Sequence, residues 1–118
     1  MVNAQAWLDQ NYPKKDKCIR ETDNEGFILD WGIGWNNIGK KRSEITKLDI
    51  RDCDLEGHLK LEGFVNLKDL QCFNNNLTSL KIIGNSDLEF LDCSNNKIID
   101  LDVSNSSKLK TLYCYENP

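Results

Sequence analysis

The sequence predicts a repeat solenoid, in which short coils stack in a row and place a parallel β-sheet of about four rungs along one side. The opposite, convex side is expected to be irregular or β, and a helix and a β-hairpin cap the N-terminal end. The main observation is a fixed period of leucine, cysteine and asparagine in the second half of the 118-residue chain. The first half lacks that period and carries helix and turn signals instead. Composition, with 39% apolar and 29% charged residues, fits a single folded domain.

The period is clearest when the second half is written in register. The pattern is apolar-x-x-Leu-x-[Cys/Ile]-x-x-[Asn/Cys]-x-apolar, and its units begin at Ile45, Leu67, Leu88 and Leu109. The last two steps between these starts are equal, and the first step is longer by a single position. The repeats therefore occupy 45–66, 67–87, 88–108 and, in part, 109–118. Because one coil cannot bury its own apolar side, neighbouring coils must stack on one another.

This pattern resembles the leucine-rich repeat family, whose core is L-x-x-L-x-L-x-x-N/C-x-L over 20–29 residues. The match covers about residues 45–118. Its L-x-x-L-x-C-x-x-N-x-L form is similar to the short 21-residue class of bacterial surface proteins and of some fungal families, where such repeats are joined to kinase or other signalling domains. The resemblance implies a leucine-rich repeat solenoid that binds other proteins through its concave face and has no catalytic role.

Alternation along each short strand assigns the inward positions. Positions 4 and 6 of a unit point inward, and positions 3, 5 and 7 point outward. The cysteines at position 6 are therefore predicted to form a structural column in the core: Cys72, Cys93 and Cys114. Disulfides and a zinc site are the alternatives, but parallel side chains suit a disulfide poorly and the spacing is not that of a zinc site. Cys18, in a charged stretch outside the repeat, is the thiol most open to reaction, although a structural role is favoured for it.

Position 9 turns the chain away from the strand inside each coil. An asparagine there can bond backbone groups of adjacent coils that the turn leaves without partners. The sequence predicts such a ladder at Asn75, Asn96 and Asn117, with Cys53 at the same position of the first unit.

Residues 1–44 are predicted to form the N-terminal cap. Apolar residues at helical spacing follow Asn3, a suitable N-cap, and Pro13 ends the pattern. A later stretch is rich in strand formers and glycine, so it is predicted to form a hairpin or an extra strand beside the first repeat. The expected segments are a helix at about 3–12, a loop at 14–25 and a hairpin or strand at 26–38.

The candidate binding surface is the concave face formed by positions 3, 5 and 7. Four of its twelve side chains are aromatic, against 8% in the whole chain, and charged residues stand beside them. This combination favours a protein interface, although the rings could also serve only to pack along the sheet. Thr111 at position 3 and Ser94 at position 7 belong to the same face but are not among the predicted binding residues. The predicted protein-binding residues are Lys47, Asp49, Arg51, Asp69, Gln71, Phe73, Phe90, Asp92, Tyr113 and Tyr115.

No catalytic or cofactor site is expected. The single histidine, His58, could pair with Cys53, but Cys53 stands at an inward position and the carboxylates are spread one per rung. We therefore expect neither enzymatic activity nor a cofactor or metal. A net charge of −4 argues against nucleic acid, and no apolar run approaches the roughly 20 residues of a membrane span. The lack of a signal peptide and the free buried cysteines predict a cytoplasmic protein.

The fourth unit predicts two further functions. Its pattern stops after Asn117, which leaves an uncapped strand edge. That edge could pair with a second copy of the chain and form a homodimer or a structural assembly. The other alternative is a regulatory segment of a larger signalling protein, such as a kinase.

Overall fold

A computed structural model describes residues 1–20 and 37–118. Within those residues it contains one α-helix, one short 3-10 helix and eight strands. In chain order they are β1 (Val2–Asn3), α1 (Ala4–Asn11), the 3-10 helix (Arg42–Glu44), β2 (Lys47–Asp49), β3 (Leu55–Glu62), β4 (Asp69–Gln71), β5 (Asn76–Ile83), β6 (Phe90–Asp92), β7 (Asp100–Asp102) and β8 (Thr111–Tyr113).

The strands form two parallel sheets, which makes the chain a β-solenoid. The rung sheet has the order β2-β4-β6-β8, and the return sheet has the order β1-β3-β5-β7. In the rung sheet Lys47 lies opposite Asp69, then Asp69 opposite Phe90 and Phe90 opposite Thr111. The strands are thus paired at the steps of the sequence repeat, including the longer first step. The predicted parallel sheet of four rungs and the solenoid are confirmed, and the convex side is a second sheet.

The leucines of the repeat fill the space between the two sheets. At position 4, Leu48, Leu70 and Leu91 are fully buried. Leu112 holds the same position in the fourth coil but is 38% exposed. Its exposure arises because, within the described residues, no further coil packs against β8.

Each coil bends after its rung strand at a residue with left-handed backbone. Position 8 has a φ between 53° and 59° in all four coils, at Asp52, Asn74, Asn95 and Glu116. Aspartate and asparagine enter this region at lower cost than most residues because their short polar side chains bond locally. The turn that separates the rung from the return strand is thus encoded at one position of the repeat.

Helix α1 closes the N-terminal end, as the sequence predicts. The side-chain oxygen of Asn3 accepts a hydrogen bond from the N–H of Ala6 at 2.9 Å, and the helix ends at Asn11, just before Pro13. Leu8 is buried in the common core. The loop predicted at 14–25 is described only to residue 20, and the hairpin predicted at 26–38 lies outside the described residues except for its last two.

Candidate functional site

The position-9 asparagines tie each coil to the one before it. The Asn96 side-chain oxygen accepts the N–H of Leu77 at 3.0 Å, and its amide donates to the carbonyls of Cys72 and Cys93 at 3.1 and 3.0 Å. Asn75 and Asn117 make the equivalent bonds one coil earlier and later. These amides, of which Asn75 and Asn96 are buried, fix the spacing of the coils and therefore the spacing of the side chains on the outer face.

Two of the three position-6 cysteines lie in the core. Cys72 and Cys93 are fully buried, and burial raises the pKa of Cys93 to about 12 and that of Cys72 well above its ordinary value. Cys114 differs from the expectation: it is exposed, for the same reason as Leu112. Cys18 is 3% exposed and burial raises its pKa, which supports the structural role favoured for it over that of a reactive thiol.

The outer side of the rung sheet, which we call the rung face, carries positions 3, 5 and 7 of the four coils. Lys47, Tyr113 and Tyr115 are exposed, and the two tyrosines have 45% and 62% of their surface accessible. The other members that reach solvent are half-buried: Arg51, Asp69, Phe73, Phe90, Asp92 and Thr111.

Three members of the rung face do not match their predicted exposure. Asp49, Gln71 and Ser94 are buried, with 5%, 9% and 2% of their surface accessible. Asp49 and Gln71 are among the predicted protein-binding residues; their contact with a partner stays a prediction, while the structure shows that both side chains are buried. Gln71 instead donates to the Asp69 carboxylate at 3.2 Å, and Asp49 is held by Arg51.

In the first two coils, charged side chains of the rung face pair with one another. Arg51 Nε lies 3.2 Å from Asp49 Oδ2, and the Arg51 guanidinium stands over the Phe73 ring at 5.5 Å from its centre. The backbone N–H of Arg51 also donates to Asp49 Oδ1 at 3.2 Å. Burial raises the pKa of Asp49, although the bonds and charge of Arg51 oppose the rise. Carboxylate, guanidinium and ring form one internal cluster.

At the last two coils, the rung face is aromatic. Phe90 meets Tyr113 edge-to-face, with ring centres 5.5 Å apart, and Tyr113 lies 6.2 Å from Tyr115. Asp92 stands directly opposite Tyr113 in the register of β6 and β8. This aromatic patch, defined as Phe90, Tyr113 and Tyr115, therefore has one carboxylate at its edge. Aromatic contacts of this kind contribute most where they are desolvated by a partner.

The described residues contain no arrangement suited to metal binding or to a Cys53–His58 pair. No group of three or more His, Cys, Asp or Glu side chains is placed to hold a metal ion in residues 1–20 and 37–118. Cys53 Sγ lies 3.2 Å from the carbonyl of Arg51, whereas His58 Nδ1 lies 2.7 Å from Ser79 Oγ on the return sheet. The two side chains thus engage different partners.

The sequence analysis did not single out two buried polar residues, Arg42 and Asn85, that bond backbone groups of the fold. Arg42 is 4% exposed, pairs with Asp9 at 2.8 Å and donates to the carbonyls of Tyr12 and Glu62. Asn85 is 1% exposed and bonds four backbone groups. The position of Asn85 in the repeat could have indicated its role, but nothing near Arg42 in the sequence distinguishes it from the lysines before it.

Comparison of the chain with protein-family models, with curated proteins and with solved structures found no significant match. Among the described residues, no helix is both long and apolar enough to span a bilayer.

Proposed function

We propose that the chain is a non-catalytic protein-binding module whose rung face contacts a partner protein. The observation that carries the proposal is the aromatic patch, in which two neighbouring tyrosines remain 45% and 62% exposed, whereas Phe73 and Phe90 on the same face of the preceding coils are half-buried. Tyrosine is among the side chains that contribute most to binding at protein interfaces. A rigid ladder of coils also lowers the entropic cost of presenting them.

The proposal includes membership of the leucine-rich repeat family and a cytoplasmic, reducing setting. The first is supported by the regular step of the rung sheet and by the asparagine that bonds two coils at position 9. The second is supported by the buried free thiols of Cys72 and Cys93, which lie one coil apart in the core.

The experiment is a selection of 12-residue peptides from a random displayed library on the immobilised chain. Selected peptides are then measured against a Tyr113→Ala/Tyr115→Ala double variant. Because both tyrosines are exposed, their loss leaves the core intact, and we expect affinity to fall at least about tenfold, as for central interface aromatics.

The control is a matched pair of exposed apolar residues away from the rung face. The double variant Val65→Ala/Ile99→Ala removes side chains that are 45% and 80% exposed, and it should leave peptide affinity unchanged. If the control pair weakens binding as much as the tyrosine pair, or if no peptide is retained by the wild-type chain, the rung face is not the binding surface.

A second candidate function is self-association through the fourth coil. It is favoured by the contrast between Leu112, 38% exposed, and the fully buried Leu91, and by the exposure of Cys114. Cys93 donates its N–H to the carbonyl of Tyr113 at 2.9 Å, and the equivalent N–H of Cys114 has no acceptor in the described part of the chain. A second copy could supply both the apolar cover and the acceptors.

Sedimentation velocity distinguishes this candidate from the first. Self-association predicts a dimer whose population rises with concentration and disappears in Leu112→Lys, which places a charge in the contact. The control Val65→Lys should not change the sedimentation coefficient. If the chain is a monomer at all concentrations up to about 1 mM, the dissociation constant of any dimer lies above that value, which is too weak for a specific interface. That result would exclude self-association and leave the rung-face proposal intact.

A further inference from the structure

The first and third coils carry the same side chain at position 5 of the rung face and differ at position 7. Position 5 is Asp49 in the first coil and Asp92 in the third. Each aspartate accepts, through Oδ1, the N–H of the residue two positions later, at 3.2 and 3.1 Å. The residue that donates is Arg51 in one case and Ser94 in the other. The two carboxylates are therefore held by the same backbone bond, but the side chain two residues later is arginine in one coil and serine in the other.

An aromatic ring also repeats beside this position. Phe73 follows Arg51 by one coil, and its carbonyl accepts the N–H of Asp52 at 3.2 Å; Tyr115 follows Ser94 by one coil and accepts the N–H of Asn95 at 3.0 Å. The backbone relation of the ring to the preceding coil is therefore the same. A carboxylate and a ring therefore recur, as Asp49 with Phe73 and as Asp92 with Tyr115. Only the first pair has a guanidinium between its members, that of Arg51.

Ser94 does not replace the missing group. Its hydroxyl is buried and has no hydrogen-bond partner in the described residues, although the same Asp-x-Ser spacing at Asp102 and Ser104 gives a hydroxyl bond of 2.7 Å. The second oxygen of Asp92, equivalent to the one that Arg51 reaches on Asp49, also has no partner among the described residues. The third coil thus holds a half-buried aspartate whose second oxygen bonds no group of the described residues.

We propose that Asp92, Tyr113 and Tyr115 bind an arginine side chain supplied by the partner protein, in the arrangement that Arg51 adopts with Asp49 and Phe73. This inference rests on the proposed function and names the chemistry of its partner. A guanidinium donates to a carboxylate and stacks on an aromatic face at once. An ammonium is a point charge without a stacking plane, so the site favours arginine over lysine.

The experiment uses one peptide pair and the intact, ¹⁵N-labelled chain. The pentapeptide acetyl-Gly-Ser-Arg-Ser-Gly-amide is titrated while amide chemical shifts are followed, and a peptide with citrulline in place of arginine is the uncharged control of the same shape. We expect saturable shifts at Asp92 and Ser94 and at Tyr113 and Tyr115, with binding at least about tenfold weaker for citrulline.

Three variants decide whether the binding site is the proposed one. Asp92→Asn should weaken the arginine peptide at least about tenfold, and Ser94→Arg should abolish its binding because the site is filled from within. Asp102→Asn, an aspartate in the same local turn on the return sheet, should leave binding unchanged. The dispersion of the amide spectrum reports whether each variant is folded, and Asp92→Asn retains the test if Ser94→Arg does not fold.

The outcomes separate this inference from the proposed function. Equal binding of the two peptides, equal binding to wild type and Asp92→Asn, or no saturable shift would overturn the arginine site. If library peptides still bind through Tyr113 and Tyr115 in that case, the rung face remains a binding surface and only its arginine specificity is wrong. Failure of the library selection as well would overturn both.

Discussion

Arg51 and Ser94 occupy the same position of the repeat two coils apart, and the backbone N–H of each donates to the carboxylate two residues before it, but only Arg51 also reaches that carboxylate with its side chain. The repeat fixes the backbone and the inward side chains of both coils. The outward positions are under no such constraint, so differences between coils can carry function. In this chain the difference leaves a carboxylate and a tyrosine without the cation that joins their counterparts.

The asparagine ladder predicts a large loss of stability on truncation. Asn96→Ala leaves the Leu77 N–H and the carbonyls of Cys72 and Cys93 without the amide that bonds them. We expect the free energy of unfolding to fall by about 2–4 kcal/mol, measured by urea denaturation. The exposed Asn105→Ala should change it by less than about 0.5 kcal/mol. Similar losses at both sites would mean that the ladder bonds contribute nothing specific.

The position of Asn85 predicts a stabilising substitution one coil later. Ser106 holds the equivalent position, is 8% exposed, and has a hydroxyl without a partner among the described residues. Ser106→Asn should recreate the bonds that Asn85 makes to Phe64 and Leu67, now to the carbonyls at the equivalent positions one coil later. We expect a gain of about 1–2 kcal/mol in thermal or urea unfolding, and no gain from Ser107→Asn on the exposed side.

Arg42 predicts that the cap and the first coil unfold together. Arg42→Met keeps most of the packing on Phe64 but removes the donors to Tyr12 and Glu62 and leaves Asp9 without its ion pair. We expect a loss of about 1–3 kcal/mol, since two carbonyls lose their donors while Asp9, 38% exposed, stays accessible to water. The control Lys60→Met, on exposed β3 surface, should cost less than about 0.5 kcal/mol. If the two variants unfold alike, the Arg42 cluster does not hold the cap.

The buried thiols predict loss of stability at alkaline pH. Cys93 has a pKa of about 12 in the folded chain against an ordinary value of 9.0. Between these values only the unfolded chain releases the proton, so the free energy of unfolding falls as pH rises, by about 1.4 kcal/mol per pH unit for this group. We therefore expect the free energy of unfolding, measured with urea between pH 8 and pH 11, to fall less steeply with pH for Cys93→Val than for wild type. Identical slopes would place the thiol outside the core.

The strand register could be predicted from the sequence because one period governs the whole second half. A constant step aligns position 4 of every coil, and stacking then buries leucine at that position without further information. The first coil kept the register despite its extra residue, because the rung sheet takes the same longer step between Lys47 and Asp69.

The exposure of the outward residues could not be predicted in the same way. Asp49 and Ser94 stand at outward positions of the repeat but are buried, and alternation along a strand does not indicate that Asp49 pairs with Arg51 two residues later. Arg42 stands after two lysines and has the sequence context of a surface residue, while its partners come from α1 and the end of β3. Contacts between segments so distant in sequence produce no local sequence pattern from which the burial of Arg42 could be predicted.

The most direct test of whether a guanidinium fits the third coil is a double-mutant cycle between Ser94→Arg and Asp92→Asn, measured by urea unfolding. If the introduced arginine pairs with Asp92 as Arg51 pairs with Asp49, the account predicts a favourable coupling energy of about 1–2 kcal/mol. Additive effects of the two substitutions would contradict it, since they would show that Asp92 and a cation at position 94 do not interact.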